Sequence, residues 1–275
     1  MKYSLRIEDE ALLRLGDIKM HFTMNNTTIV CSSFEMINHE YVFRFCGIGP
    51  QQMTDGIHAV AYAGKTPIAA VYDHSVRDYC QAILLSDAEA LDLSLDAYEA
   101  MKMLITDLLH YGVAAQIYQS YRVDRLATDG VVGLGNSITT PVQGTDYVQG
   151  ERISDSAYFT SVGLWFDCTN RIYVKFIAQG NARVLVRTNG EMVREYEFQG
   201  DGIAYSPEIF ATDFNLVYTF ELYEEDMLVQ SVDFSVKSYV YAMASSENAA
   251  MRELALRLYS YGSSAQHYQR TISNE

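Results

Sequence analysis

The sequence predicts an α+β chain made of two tandem antiparallel β-sandwich units, each followed by a C-terminal helical hairpin. Three observations lead there: a nine-residue motif that occurs twice, short alternating segments punctuated by turn residues, and a helix-period stripe ahead of each copy of the motif. Residues 111–119 read Tyr-Gly-Val-Ala-Ala-Gln-Ile-Tyr-Gln and residues 261–269 read Tyr-Gly-Ser-Ser-Ala-Gln-His-Tyr-Gln, six of nine positions being identical at an offset of 150. Upstream, Ser75-Val76-Arg77-Asp78-Tyr79 answers Ser235-Val236-Lys237-Ser238-Tyr239 at an offset of 160. The difference falls between the two motifs, where residues 86–95 supply a longer connection in the first copy.

The strand signal is clearest in Tyr41–Phe45, Arg171–Phe176 and Arg183–Arg187, which alternate apolar and polar side chains. Asn189-Gly190 predicts a hairpin turn between Val184–Arg187 and Met192–Phe198. Glu224-Glu225-Asp226 forms a second tip, joining Tyr218–Tyr223 to Met227–Phe234. A strand-like stretch precedes each Ser-Val motif, His58–Tyr62 in one copy and Leu216–Phe220 in the other. If Asn38-His39 is a two-residue turn, Cys31 falls opposite Cys46, close enough for a disulfide, although two free thiols are the favoured reading.

Each hairpin has its own helix signals. Ser75 with Asp78 forms a capping box with Asp in place of Glu. Val76, Tyr79, Cys80, Ile83 and Leu84 follow at helical spacing. A longer helix starts after Ser94, with Tyr98, Met101, Ile105, Leu108, Tyr111, Ala115 and Tyr118 on one face. Leu254, Leu258, Tyr261, Ala265 and Tyr268 form the matching stripe. Gly112 and Gly262 stand inside these helices, where Gly costs roughly 1 kcal/mol relative to Ala. Their recurrence predicts a notch for a neighbouring backbone, with a helix break or a ligand contact as competing explanations. The structural motif is therefore Tyr111, Gly112, Ala115, Gln116 and Tyr118, repeated as Tyr261, Gly262, Ala265, Gln266 and Tyr268. The units are expected at 1–126 and 151–275. Residues 127–150, rich in Gly and polar residues, read as a linker.

These stretches resemble a repeat module of uncharacterised surface and secreted proteins of clostridia-type gut bacteria. The resemblance rests on Tyr41-Val42-Phe43 to Gly47-Ile48, Gln52-Met53-Thr54-Asp55, Ser75–Tyr79 and Tyr111-Gly112 to Tyr118, and covers most of the chain. It departs at Gln119 and Gln269, where the family commonly has an aromatic. It implies immunoglobulin-like strand regions and an accessory role outside the cell, and carries no catalytic residues with it.

Bulk properties narrow the function classes. The formal net charge of −15 and the pI near 4.7 disfavour nucleic acid, because a phosphate-binding face needs clustered Lys and Arg. No apolar run approaches the ~20 residues of a membrane span, so no membrane insertion is expected. The segment Met1–Glu10 is too charged for a signal peptide, leaving either a chain not secreted by that route or a leader already removed. Gly133-Leu134-Gly135 lacks the third glycine of a dinucleotide loop. His58 with His74, and Asp124, Asp129 and Gly130, fall short of metal-ligand spacing, and no cofactor is expected. The sequons at Asn25 and Asn26 mean little in a bacterial or phage protein. Tyr147, Tyr158, Tyr196 and Tyr205 lie in loop or edge contexts where exposed rings could stack on sugars; lining the core margin is the plainer role for them. The expected function is a non-enzymatic accessory, adhesion or binding module of a surface or secreted protein, with a protein or a cell-surface glycan as partner. The alternatives are a phage virion component and an enzyme with a site between the units.

Overall fold

A computed structural model describes residues 1–135, 137, 142–166 and 169–274; Cys168 and Asn136 lie outside them. The first half runs β1 (Lys2–Leu5), α1 (Glu10–Leu13), β2 (Ile18–Met24), β3 (Thr27–Cys31), β4 (Glu35–Ile37), β5 (Glu40–Arg44), a 3₁₀ turn at Pro50–Gln52, β6 (Ile57–Ala63), β7 (Thr66–His74), α2 (Val76–Leu85) and α3 (Leu95–Gln119). The second runs β8 (Val148–Gln149), β9 (Ala157–Phe166), β10 (Asn170–Ala178), β11 (Asn181–Thr188), β12 (Glu191–Gln199), β13 (Gly202–Tyr205), a 3₁₀ turn at Ala211–Asp213, β14 (Tyr218–Glu224), β15 (Met227–Phe234), α4 (Val236–Met243) and α5 (Ala249–Ser273). The chain is thus α+β, and the described strand pairs are antiparallel.

Each half carries two sheets that contribute to one apolar cluster. In the first, these are β3-β2-β6-β7 and β1-β5-β4. Tyr3 and Phe45 bracket Phe22 across the gap, with ring centroids 5.0 Å apart in both pairs, and Ile18, Met20, Phe43 and Ile57 complete the core. In the second, β12-β11-β14-β15-β8 and β13-β10-β9 share a cluster that includes Ile172, Val174, Val184, Phe220 and Leu222. Strict alternation along β2 and β6, buried at every second residue, is what a strand with one face on a core requires.

The turn chemistry follows the sequence. Asn189 and Gly190 both have positive φ, 50° and 81°, as a type I′ hairpin demands. Asn38 and His39 do likewise, at 49° and 65°, and pair Ile37 with Glu40 and Glu35 with Val42. That register is the one expected, yet the disulfide does not follow from it. The β4 ladder stops at Glu35, the chain crosses to the other sheet, and Cys31 pairs with Met20 there. Cys31 and Cys46 are free thiols, and the Cys31 thiol donates to the Ser33 carbonyl at 3.2 Å.

The helices start where their caps place them. The Ser75 hydroxyl accepts from the Asp78 N–H at 3.1 Å while the Asp78 carboxylate accepts from the Ser75 N–H at 3.0 Å. Desolvation pushes the Asp78 carboxyl up, but the Ser75 bonds and the nearby Arg77 and His74 outweigh it and hold the pKa below the usual value. A group shifted this way contributes stability above its unfolded pKa and loses it as pH falls. Ser75→Ala is expected to cost about 1 kcal/mol and to flatten that acid-side loss, checked by chemical denaturation between pH 7 and pH 3. Helix α3 begins after Ser94 and continues unbroken through Gly112, as α5 does through Gly262, so neither glycine is a helix break. The stretch expected as a linker is held at both ends. Ala127 is fully buried beside Met53 and Leu109, and Val148–Gln149 pairs with β15.

Candidate functional site

The repeated motif lies where four elements converge: α3, α5 and the two 3₁₀ turns. Gly112 faces the first turn. A Cβ there would stand 2.6 Å from Met53 Sδ and 3.3 Å from the Pro50 carbonyl oxygen. Gly262 faces the second, where a Cβ would fall onto the edge of the Phe214 ring. Met53 and Phe214 are structural counterparts, since the Arg77 N–H donates to the Met53 carbonyl (2.9 Å) and the Lys237 N–H to the Phe214 carbonyl (3.0 Å). Each 3₁₀ turn is therefore clamped between the first turn of its short helix and the glycine notch of its long one.

The motif glutamine completes the clamp. The Gln116 side chain, fully buried, accepts from the Ala127 N–H (2.8 Å) and donates to the Arg125 carbonyl (3.0 Å) and the Thr54 hydroxyl (3.4 Å). Gln266 donates to the Thr212 carbonyl (2.9 Å) and accepts from Asn215 Nδ2 (3.0 Å). Ala115 and Ala265 are buried. Tyr118 and Tyr268 are half-buried.

Across the seam, Tyr111 and Tyr261 stack with ring centroids 6.1 Å apart and planes 3° from parallel. Burial, first of all, raises both hydroxyl pKa values above the ordinary tyrosine range. Beside them Asp107 is fully buried. It accepts a short hydrogen bond from the Ser264 hydroxyl and another from the Ser137 hydroxyl at 2.6 Å, and Ser137 accepts from Arg257 at 2.9 Å. Sequence reasoning missed this contact. Its one visible trace is an acid set among apolar residues, Ile105-Thr106-Asp107-Leu108-Leu109.

His110, one residue from the stack, has its pKa lowered, first by desolvation and then by Arg257, against Asp107 and Glu253. The unfolded chain then takes up this proton at a higher pH than the folded one. Stability is expected to fall as pH drops through about 6.5, and His110→Asn is expected to remove that slope, measured by urea denaturation at pH 7.5 and pH 5.5.

These elements enclose a cleft of about 570 Å³ between the halves. Leu108, Leu254, Leu258 and Met251 give it apolar walls, and Gln51, Gln52, Gln119 and Asn170 bring amides. The ionisable groups in its lining are Tyr111, Tyr239 and Tyr261. Burial is the largest cause of a raised pKa in each; Tyr239 also feels Tyr118 and Tyr173. Such hydroxyls stay protonated at neutral pH, so the described lining donates and accepts hydrogen bonds through neutral groups.

The other sequence candidates do not converge on this cleft. Among the described residues no group of three or more His, Cys, Asp or Glu is placed to hold a metal ion; His74 stands opposite Ile57 at the end of β7. Asp129 accepts from the Leu126 N–H at 2.7 Å, closing a turn. Of the four tyrosines considered for sugar stacking, Tyr158 has Arg152 3.5 Å above its ring centroid. Tyr196 donates to the Tyr205 carbonyl at 2.9 Å, Tyr205 meets Trp165 edge-on, and Tyr147 meets Phe234 edge-on. No described helix is long and apolar enough to cross a membrane. A scan of protein-family models and a search of curated proteins each return no match to this chain.

Proposed function

We propose that the chain is a non-enzymatic binding module of a bacterial surface or secreted protein, formed by two immunoglobulin-like β-sandwich units and their helical hairpins. The cleft between the units holds the ligand. The observation that carries this reading is the described lining, a combination of aromatic rings, apolar walls and uncharged amides. A site of that composition favours neutral, partly apolar ligands, and amides beside rings suit the hydroxyls and flat faces of a neutral glycan. The two units, clamped through their own 3₁₀ turns and joined by the Asp107–Ser264 contact, give the cleft fixed walls.

The test is a glycan array followed by calorimetric titration of the best neutral oligosaccharide. Saturable binding, weakened by Tyr239→Ala, with the sugar recovered chemically unchanged, is expected. A cleaved or modified sugar would contradict the non-enzymatic reading, and an array without binding would remove the glycan.

A further inference from the structure

The duplication makes each half a template for the other. In the first half Lys2 of β1 pairs with Arg44 of β5; in the second Tyr173 of β10 pairs with Tyr205 of β13. The next pair along is in the core of both copies, Tyr3 with Phe43 and Val174 with Ala204. Side chains alternate along a strand, so Lys2 and Arg44, like Tyr173 and Tyr205, stand on the side away from the core. The first copy fills this place with exposed charges, Arg44 being paired with Glu35 at 2.8 Å. The second fills it with rings. The scaffold folds with charges at these positions, so core packing does not account for the tyrosines.

Other residues join the rings on that side. Trp165 and Gly163 of β9 pair with Arg171 and Tyr173. Trp165, the single tryptophan of the chain, is 48% exposed and meets Tyr205 with centroids 6.2 Å apart and planes at 78°. Tyr173 leans across β9 because Gly163 has no side chain; a Cβ there would stand 3.1 Å from Tyr173 Cε1. Tyr173 thus forms a floor, and Trp165 and Tyr205 the two walls of a corner. Arg171 and Lys175 flank Tyr173 on the same strand and the same side, with Lys175 Nζ 5.8 Å from the Tyr173 ring centroid. Among the described residues neither cation forms an ion pair, although the chain carries a net charge of −15. Arg171 Nε is buried without a hydrogen-bond partner.

We propose that this face is a binding site for an acidic sugar chain, separate from the cleft. A pyranose ring lies over Tyr173 between Trp165 and Tyr205, where the negative ring faces attract polarised C–H groups as they attract cations. Its carboxylate meets Lys175 and Arg171, the charge-assisted contact that both lack within the chain. A single-stranded nucleic acid also offers flat rings and anions, but two cations in an acidic chain are too few to hold a phosphate backbone. The site shares no residue with the described lining of the cleft and stands or falls independently of the ligand bound there.

The test is a fluorescence titration of the 275-residue chain with a galacturonate oligosaccharide, its neutral methyl ester and an oligothymidylate. Because Trp165 is the single tryptophan, its emission reports on this face directly. A saturable change with the galacturonate, weakened by added salt, is expected, with the methyl ester bound on the order of tenfold more weakly because the charged contact is lost. Lys175→Gln is expected to weaken the galacturonate on the order of tenfold for the same reason, and Trp165→Ala, followed by calorimetry, to weaken it as well. Lys2→Gln, on the matching face of the first half, is expected to leave it unchanged. Lys175 and Trp165 are exposed, so both variants keep the fold, which circular dichroism verifies. No response to the galacturonate by fluorescence or calorimetry, equal affinity for the methyl ester, or affinity that survives Lys175→Gln and Trp165→Ala would each overturn the proposal. So would tighter binding of the oligothymidylate, since the rings would then be a platform for bases.

Discussion

Gly262→Leu lowers the melting temperature by several degrees, and Gly262→Ala does so as well, although alanine is the better helix former. In an unobstructed helix the Gly→Ala change gains roughly 1 kcal/mol. At Gly262 the added methyl falls onto the Phe214 ring, and Phe214 is 4% exposed, with its carbonyl tied to the Lys237 N–H. The ring is a rigid plane carried by the 3₁₀ turn, so relieving the overlap means turning it toward the cleft it lines or shifting the turn. Overpacking of this kind costs about 1–3 kcal/mol, which for a cooperative body of this size corresponds to roughly 2–5 °C. Gly112 gives a built-in comparison. Its added methyl meets Met53 Sδ first, and a thioether can swing aside. Gly112→Ala is therefore expected to cost much less than Gly262→Ala, while Gly112→Leu, which also presses on the Pro50 carbonyl and Ala127, still destabilises. Scanning calorimetry of the four variants checks the ranking.

Asp107→Ala is the second large effect. The change strips the partner from the Ser264 and Ser137 hydroxyls and leaves a gap between α3 and α5. Orphaned buried donors and a small cavity together cost about 2–4 kcal/mol. Asp107→Asn preserves shape and one acceptor, so it is expected to lose less than half as much. Asp107→Leu combined with Ser264→Ala, which removes the buried Asp–Ser pair, is expected to recover part of the loss, because only the Ser137 hydroxyl is then left without its acceptor. Urea denaturation of the set, at constant m-value, provides the measurement.

What the sequence made legible was mostly local. The Asn189-Gly190 and Asn38-His39 turns, the Ser75–Asp78 box and the start of α3 after Ser94 each depend on neighbours a few residues away, and the structure places them as expected. The motif glycines were legible as a notch but not as to what enters it, because Met53 and Phe214 lie 59 and 48 residues upstream of them and share no residue identity. The Cys31–Cys46 pairing failed for a related reason. Its register was right, but residues 32–34 leave the hairpin for the other sheet, a crossing set by the core around Phe22 and Phe43 rather than by the turn. Asp107 was hidden because an acid in an apolar stripe reads as an interruption until Ser264, from the other half, is brought beside it.

The two repeats are fixed to each other through the helices that carry the motif. Calorimetric unfolding of the intact chain and of Asp107→Ala tests it most directly. One cooperative transition is expected for the intact chain, moved to lower temperature as a whole by Asp107→Ala. Two separate transitions in the intact chain, or a variant that shifts only one of them, would contradict it.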